Sequence, residues 1–292
     1  MILKSNKNKL KAVSLFLFGL LLLFAPGNIY AGMDQNPFVF ISIDIKTEKT
    51  LNKTFPFERS LIAEFIEKLK EFKPKAIVFK FFIDLPKNAQ GDSLLAKSFL
   101  GIPVFHQATI SKETFPNPLM SKFSIGDSSQ NLVTPYIANP KNAGWIPLPI
   151  FQSNCQDVGF VDYNPKKPDC VPLVTQYGDM YYRSLWFSLI AFLYPQAEFV
   201  PGKYLSVNNK KISLTAQNEV NIQLPETASI TNEIISLIDV IEGKIDQIKI
   251  EGKIVILMYS GKSFYEQYTQ KGAQTPHEIF LSLLEGFYNK IK

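Results

Sequence analysis

Apolar positions along the chain follow two periods, and each predicts a different element. Residues 38–45 (FVFISIDI) and 76–83 (AIVFKFFI) are almost continuously apolar and rich in β-branched and aromatic side chains. Runs of this length predict strands buried on both faces. Residues 102–110 and 254–259 read the same way. Between the first two runs, Leu61, Ile62, Phe65, Ile66, Leu69 and Phe72 recur at helical spacing. Glu64, Glu67, Lys68 and Lys70 occupy the other face, and Lys73-Pro74 supplies a stop. Strand, amphipathic helix, strand predicts a βαβ unit with parallel strands and a right-handed crossover.

The later segments extend this pattern. Residues 92–99 predict a short helix with Asp92 as an acid or cap near its start. Residues 184–194 (SLWFSLIAFLY) predict an apolar core helix, and residues 277–291 an amphipathic one. Alternation on either side of Asn208-Asn209 predicts a β-hairpin or small meander over residues 203–224. Residues 234–241 read as a helix that Glu242-Gly243 terminates. Residues 111–150 carry scattered prolines and little periodicity, which predicts a long surface excursion. The expectation is one α/β domain over residues 32–292, with a mixed, mostly parallel sheet flanked by helices and a β-hairpin insertion.

The N-terminus changes where this domain acts. Lys4, Lys7, Lys9 and Lys11 precede an apolar run over residues 12–26, and Gly27 to Ala31 form a cleavage-like region ending in a small residue. That run of 15 residues is shorter than the roughly 20 needed to span a bilayer. Residues 1–31 therefore read as a signal peptide, or as an N-terminal anchor if uncleaved, placing the rest in the periplasm or outside the cell. They also hold four of the 31 basic residues and none of the 26 acidic ones. The remaining 27 against 26 is near neutrality, which argues against a nucleic-acid partner. Cys155 and Cys170 are the two cysteines of the chain. An even count in an exported protein, with a turn at residues 164–169 between them, predicts a disulfide stapling a hairpin.

Candidate catalytic chemistry is sparse. Tyr259-Ser260-Gly261-Lys262-Ser263 follows a strand, but Ile256 stands where a phosphate loop needs its first glycine. His106 lies in a strand, where packing with one hydrogen bond is the default; His277 opens a helix, where a capping or surface role is usual. No HxH or HExxH spacing supports a metal site, and no cofactor is expected. Asp44, Asp84, Asp92 and Asp162 fall near strand ends, so a hydrolase built on paired carboxylates is the alternative reading. Caps and turns use such acids more often.

Several landmarks resemble one family, the type-two CHASE domain, a sensory domain associated with cyclases and histidine kinases. The strand ending at Asp44, then Phe55-Pro56-Phe57-Glu58-Arg59 and a helix, resemble its opening. Gly91-Asp92-Ser93-Leu94-Leu95-Ala96 is similar to its G-D-x-x-L-A segment, and Val158-Gly159-Phe160-Val161-Asp162 to its V-G-F-V-N strand. Residues 236–243 (SLIDVIEG) and 252–257 (GKIVIL) resemble S-x-x-D-V-L-x-G and G-K-I-V-L-V-G. The chain departs from the family at Lys80, where an acid is usual, and at residues 169–173, Met258 and Thr275-Pro276. These departures cluster at strand ends, where open α/β sheets place ligands.

The resemblance implies an exported, non-enzymatic sensory domain that binds a small molecule or an envelope or membrane protein. Asp44, Arg59, Asp92 and Ser260 are the expected cleft residues. Family members usually continue into membrane helices and a cytoplasmic output module, so this chain, ending at Lys292, reads as a sensor signalling through a partner.

Overall fold

The computed structural model describes residues 36–111, 117–135, 143–223, 233–261, 267–269 and 272–292. The segment expected to be an export signal with its cleavage region, and Lys262-Ser263, lie outside them. Residues Pro37–Lys292 make one compact unit.

In chain order the strands that matter most are β1 (Phe38–Ile43), β2 (Ala76–Phe79), β3 (Val104–Ile110), β4 (Ser124–Asp127), β5 (Gly144–Trp145) and β6 (Asp157–Phe160). They are followed by β7 (Cys170–Pro172), β8 (Val174–Tyr177), β9 (Met180–Arg183), β10 (Glu198–Val200), β11 (Tyr204–Val207), β12 (Lys210–Ser213), β13 (Glu219–Asn221), β14 (Ile234–Ser236) and β15 (Ile254–Tyr259). The helices are α1 (Ile45–Leu51), α2 (Arg59–Glu71), α3 (Ala89–Ser98), α4 (Pro149–Ser153), α5 (Leu185–Leu193), α6 (Leu237–Ile241) and α7 (Pro276–Ile291).

The central sheet runs β14-β1-β15-β2-β3-β6 with every pair parallel, and β5 joins β3 antiparallel. Every residue of β1, β2 and β15 is buried. Alternation then sorts side chains between two cores. Ile41, Ile77, Phe79, Val104 and Leu257 pack with α2 and α3 on one face. Phe40, Val78, Phe105 and Ile256 pack with α5 and α7 on the other. Lys80 and Gln107 continue the second series. The α5 helix can start close against β6 because of Gly159: a Cβ there would sit 2.4 Å from Leu185 Cα.

The expected mostly parallel α/β sheet with flanking helices and an antiparallel β10-β11-β12 insertion is present. Asn208 and Asn209 turn between β11 and β12 at φ 50° and 61°. Several details differ. The strands β1 and β2 are parallel but not adjacent, since β15 lies between them. Ile234–Ser236 is an edge strand rather than the first turn of a helix, so only Leu237–Ile241 is helical. The α3 cap is Asn88, whose side chain accepts from Gly91 N at 2.6 Å, and Asp92 sits inside the first turn. The proline-rich stretch is no mere surface excursion: Leu119, Phe123 and Ile146 are buried in it.

The disulfide is not formed, and Cys155 and Cys170 are both free, buried thiols. The segment between them is not a hairpin. Its first strand, β6, enters the central sheet beside β3, while β7 pairs with β13. Cys155 Sγ meets Gln152 O at 3.4 Å and Cys170 Sγ meets Asn221 Oδ1 at 3.0 Å. Burial raises both thiols, Cys155 to about 12 and Cys170 to about 11.

Candidate functional site

Parallel strands all end on the same edge of the sheet, and the helices that follow leave a hollow there where the chain reverses direction. A cavity of about 630 Å³ occupies that edge, beyond the ends of β2, β3, β6 and β15. Its walls are strongly aromatic. Phe55 stacks on Tyr259 at 4.5 Å, Phe82 meets Trp145 edge-on at 4.8 Å, and Trp186 stacks on Phe280 at 5.2 Å. Trp186 Nε1 donates to Phe280 O at 3.0 Å, which fixes that wall.

Lys80, Gln107, Asp162 and His277 line this aromatic box, together with the smaller polar side chains of Thr109 and Ser111. Lys80 is 4% exposed, and its Nζ donates to Gln107 Oε1 at 2.7 Å. The ammonium also sits 4.9 Å from the centroid of the Phe280 ring, whose face attracts a cation. Burial disfavours the charged form and brings Lys80 down to about 7. His277, on the first turn of α7, is buried too. Desolvation, and then the nearby Lys80 charge, hold it well below the ordinary histidine value, while a hydrogen bond to the Tyr259 backbone works the other way.

Asp162, just past β6, accepts from Thr109 Oγ1 at 2.8 Å and from Ile110 N at 3.1 Å. Burial raises its carboxyl to about 6 against those hydrogen bonds. A lysine and an aspartate shifted toward neutrality within one hollow is the electrostatic signature of a site rather than of a solvated surface. A second depression of about 640 Å³ lies along α2 and α3. Its rim carries Glu67, Lys68 and Glu71, which are exposed and paired locally, so it lacks that signature.

The structure divides the four residues expected to form a cleft into two groups, and none of them lines the cavity. Asp44 is the N-cap of α1: its carboxylate accepts from Thr47 N and Thr47 Oγ1, each at 2.8 Å, and from Ser236 Oγ at 2.9 Å. Ser260 is exposed nearby and hydrogen-bonds Ser42. Arg59 and Asp92 are both buried and pair with each other, Nε to Oδ1 at 3.4 Å. Arg59 Nη2 also donates to Leu85 O at 3.2 Å, and its guanidinium lies over Phe151. Burial lowers Arg59, and Asp92 and Asp84 offset part of that. The strand-end carboxylates therefore have separate partners: Asp44 the α1 cap, Asp84 and Asp92 the Arg59 charge, Asp162 the cavity.

His277 is not a surface or capping residue. Thr275 caps α7 in a capping box with Glu278, which turns His277 inward. His106 packs as expected among Phe79, Phe99 and Phe151, but neither ring nitrogen has a hydrogen-bond partner among the described residues, and burial pushes it down to about 3. Among the described residues no group of three or more His, Cys, Asp or Glu is arranged to hold a metal ion. No helix of the described residues is long and apolar enough to cross a membrane.

The signal for Lys80 and Gln107 was present in the sequence. In a strand the side chain at i+2 returns to the same face, so Lys80 follows Ala76 and Val78 while Gln107 follows Phe105. A lysine that continues an apolar face points into protein.

A family model, that of the CHASE2 domain, matches residues 3–278. No curated protein and no solved structure matches the chain. The match spans nearly the whole chain, and the ordered landmarks fall in β1, α3, β6, and from β14 through α6 to β15. The chain belongs to the CHASE2 family of extracellular sensory domains.

Proposed function

We propose that this protein is an exported, non-catalytic sensory domain whose ligand seat is the aromatic cavity beyond β2, β3, β6 and β15. In this reading residues 1–31 direct export, and a small molecule bound in the cavity alters how the domain meets an envelope or membrane protein that carries the signal on. One observation supports this most: a hollow of about 630 Å³ at the carboxyl edge of a parallel sheet, apolar in its walls, with a few convergent polar groups. Ligand sites have that size, place and composition. Asp44 then serves as the cap of α1, Ser260 as a hydrogen-bond partner of Ser42, and Arg59 with Asp92 as an ion pair that joins α2 to α3.

The cavity as a ligand seat is tested with a neutral, environment-sensitive apolar dye titrated into the purified chain. Saturable fluorescence enhancement is expected, and it should disappear in Val161→Trp, which places an indole in the hollow. A dye response that is absent, or that survives Val161→Trp unchanged, would sink this reading.

A further inference from the structure

Lys80 enters the cavity with no anionic partner of its own among the described residues. Lys80 Nζ has one hydrogen bond, to the neutral Gln107, and no carboxylate lies within ion-pairing distance of it among the described residues. Asp162 is the one carboxyl among the described residues that line the cavity, and its oxygens are engaged by Thr109 and Ile110. Gln107 Oε1 is occupied by Lys80, which leaves its amide group as a donor. His277 is held neutral.

A buried ammonium is costly when unpaired, and a ligand supplying one negative charge removes that cost. A neutral ligand leaves it in place, and a cationic ligand adds repulsion. The aromatic walls call for a flat apolar body, since rings stack or meet edge-on at such surfaces. One lysine matches one anionic group, and Asp162 disfavours a second.

We infer that the cavity binds an apolar, ring-bearing monocarboxylate, with its carboxylate on Lys80 Nζ and Gln107 and its ring against the aromatic walls. This inference rests on the cavity being the ligand seat. It carries a proton linkage. Anion binding holds Lys80 in its charged form, so affinity weakens as pH rises from 7 to 9, approaching tenfold per unit. The other titratable groups facing the cavity are His277, Asp162, Tyr163 and Tyr259. Asp162 changes charge near 6, below that window, and His277 well below its ordinary value.

The test is calorimetric titration of the full chain with three matched probes: 3-phenylpropionate, its amide and the corresponding amine. The carboxylate should bind at least tenfold more tightly than the amide, and the amine least. Lys80→Met should abolish that preference and the pH slope while leaving amide binding in place. Lys80→Gln should give the same loss, and circular dichroism of both variants checks that they are folded. Amide binding as tight as the carboxylate, or a carboxylate preference that survives Lys80→Met, overturns the monocarboxylate inference and leaves the cavity reading intact. Failure of all three probes beside a saturable, Val161-sensitive dye response also overturns it. Loss of the dye response itself is the separate failure of the cavity reading.

Discussion

Two buried cations on opposite faces of one sheet are treated in opposite ways. Arg59 opens α2, and the chain surrounds it with Asp92 from the first turn of α3, the Leu85 carbonyl and the Phe151 ring. Lys80 extends β2 into the cavity and, among the described residues, its ammonium meets Gln107 and the Phe280 face. Both side chains are about equally hidden, 5% and 4% exposed. Burial alone therefore does not separate the two charges; the presence or absence of an opposing carboxylate among the described residues does. The Arg59 pair joins the starts of two helices, whereas Lys80 has no carboxylate partner among the described residues, and the monocarboxylate inferred above would supply one.

The two sites should respond with opposite signs when broken. Asp92→Ala strands the Arg59 guanidinium in an apolar layer, and a loss of about 3–5 kcal/mol is expected, as for removing one partner of a buried pair. Lys80→Met keeps an unbranched apolar stem, one heavy atom shorter, and removes the charge. Relief of the unpaired ammonium, less the loss of a partner for Gln107 Oε1, predicts a gain of about 1–4 kcal/mol in the ligand-free protein. Urea unfolding of the three chains at pH 7 measures both. A destabilised Lys80→Met would mean that Lys80 is structural, and the contrast between the two cations would collapse.

pH sharpens the same contrast. Lys80 titrates near 7 in the folded protein and near its ordinary 10.5 when unfolded. Between those values the unfolded chain binds the extra proton, so stability rises with pH, by at most about 1.4 kcal/mol per unit. Above pH 9 the trend reverses, because Cys155, Cys170 and Tyr177 are held above their ordinary values and keep protons that the unfolded chain releases. The clean window is pH 7–8, where a gain of about 1 kcal/mol is expected. Lys80→Met should flatten it, and a wild-type curve already flat there would contradict a neutralised Lys80.

How legible these features are in the sequence follows from the range of the interactions that make them. The strands β1, β2, β3 and β15, and the helices α2, α5 and α7, are set by local apolar periods, and their existence and type are readable directly. The β14 strand is not, since its three residues continue the apolar spacing of α6, and only pairing with β1 separates them. The α1 helix escapes for the opposite reason, with a polar IKTEKTL in which Thr47 alone is buried. The carboxyl edge as the place for a ligand follows from parallel topology. The residues that line it come from β2, β3, the segment after β6 and the start of α7, and no short-range pattern joins them. Acids at strand ends draw attention first, yet Asp44, Asp84 and Asp92 have partners within the chain. The residue of the proposed seat that the strand period does expose is Lys80, a cation continuing an apolar face.

The smallest predicted effect separates the cavity from the neighbouring strand end. Asp44 stands at the end of β1 on the same edge of the sheet, but its carboxylate is consumed by Thr47 and Ser236. Asp44→Ala removes the N-cap of a seven-residue helix, a loss of about 1 kcal/mol. Asp44→Asn retains one acceptor oxygen and should lose less. Neither should alter probe affinity, because Asp44 does not line the cavity. Urea midpoints read the first effect, and the phenylpropionate titration reads the second. A weakened carboxylate affinity in Asp44→Asn, with stability near wild type, would move the ligand seat from β2 and β3 toward β1.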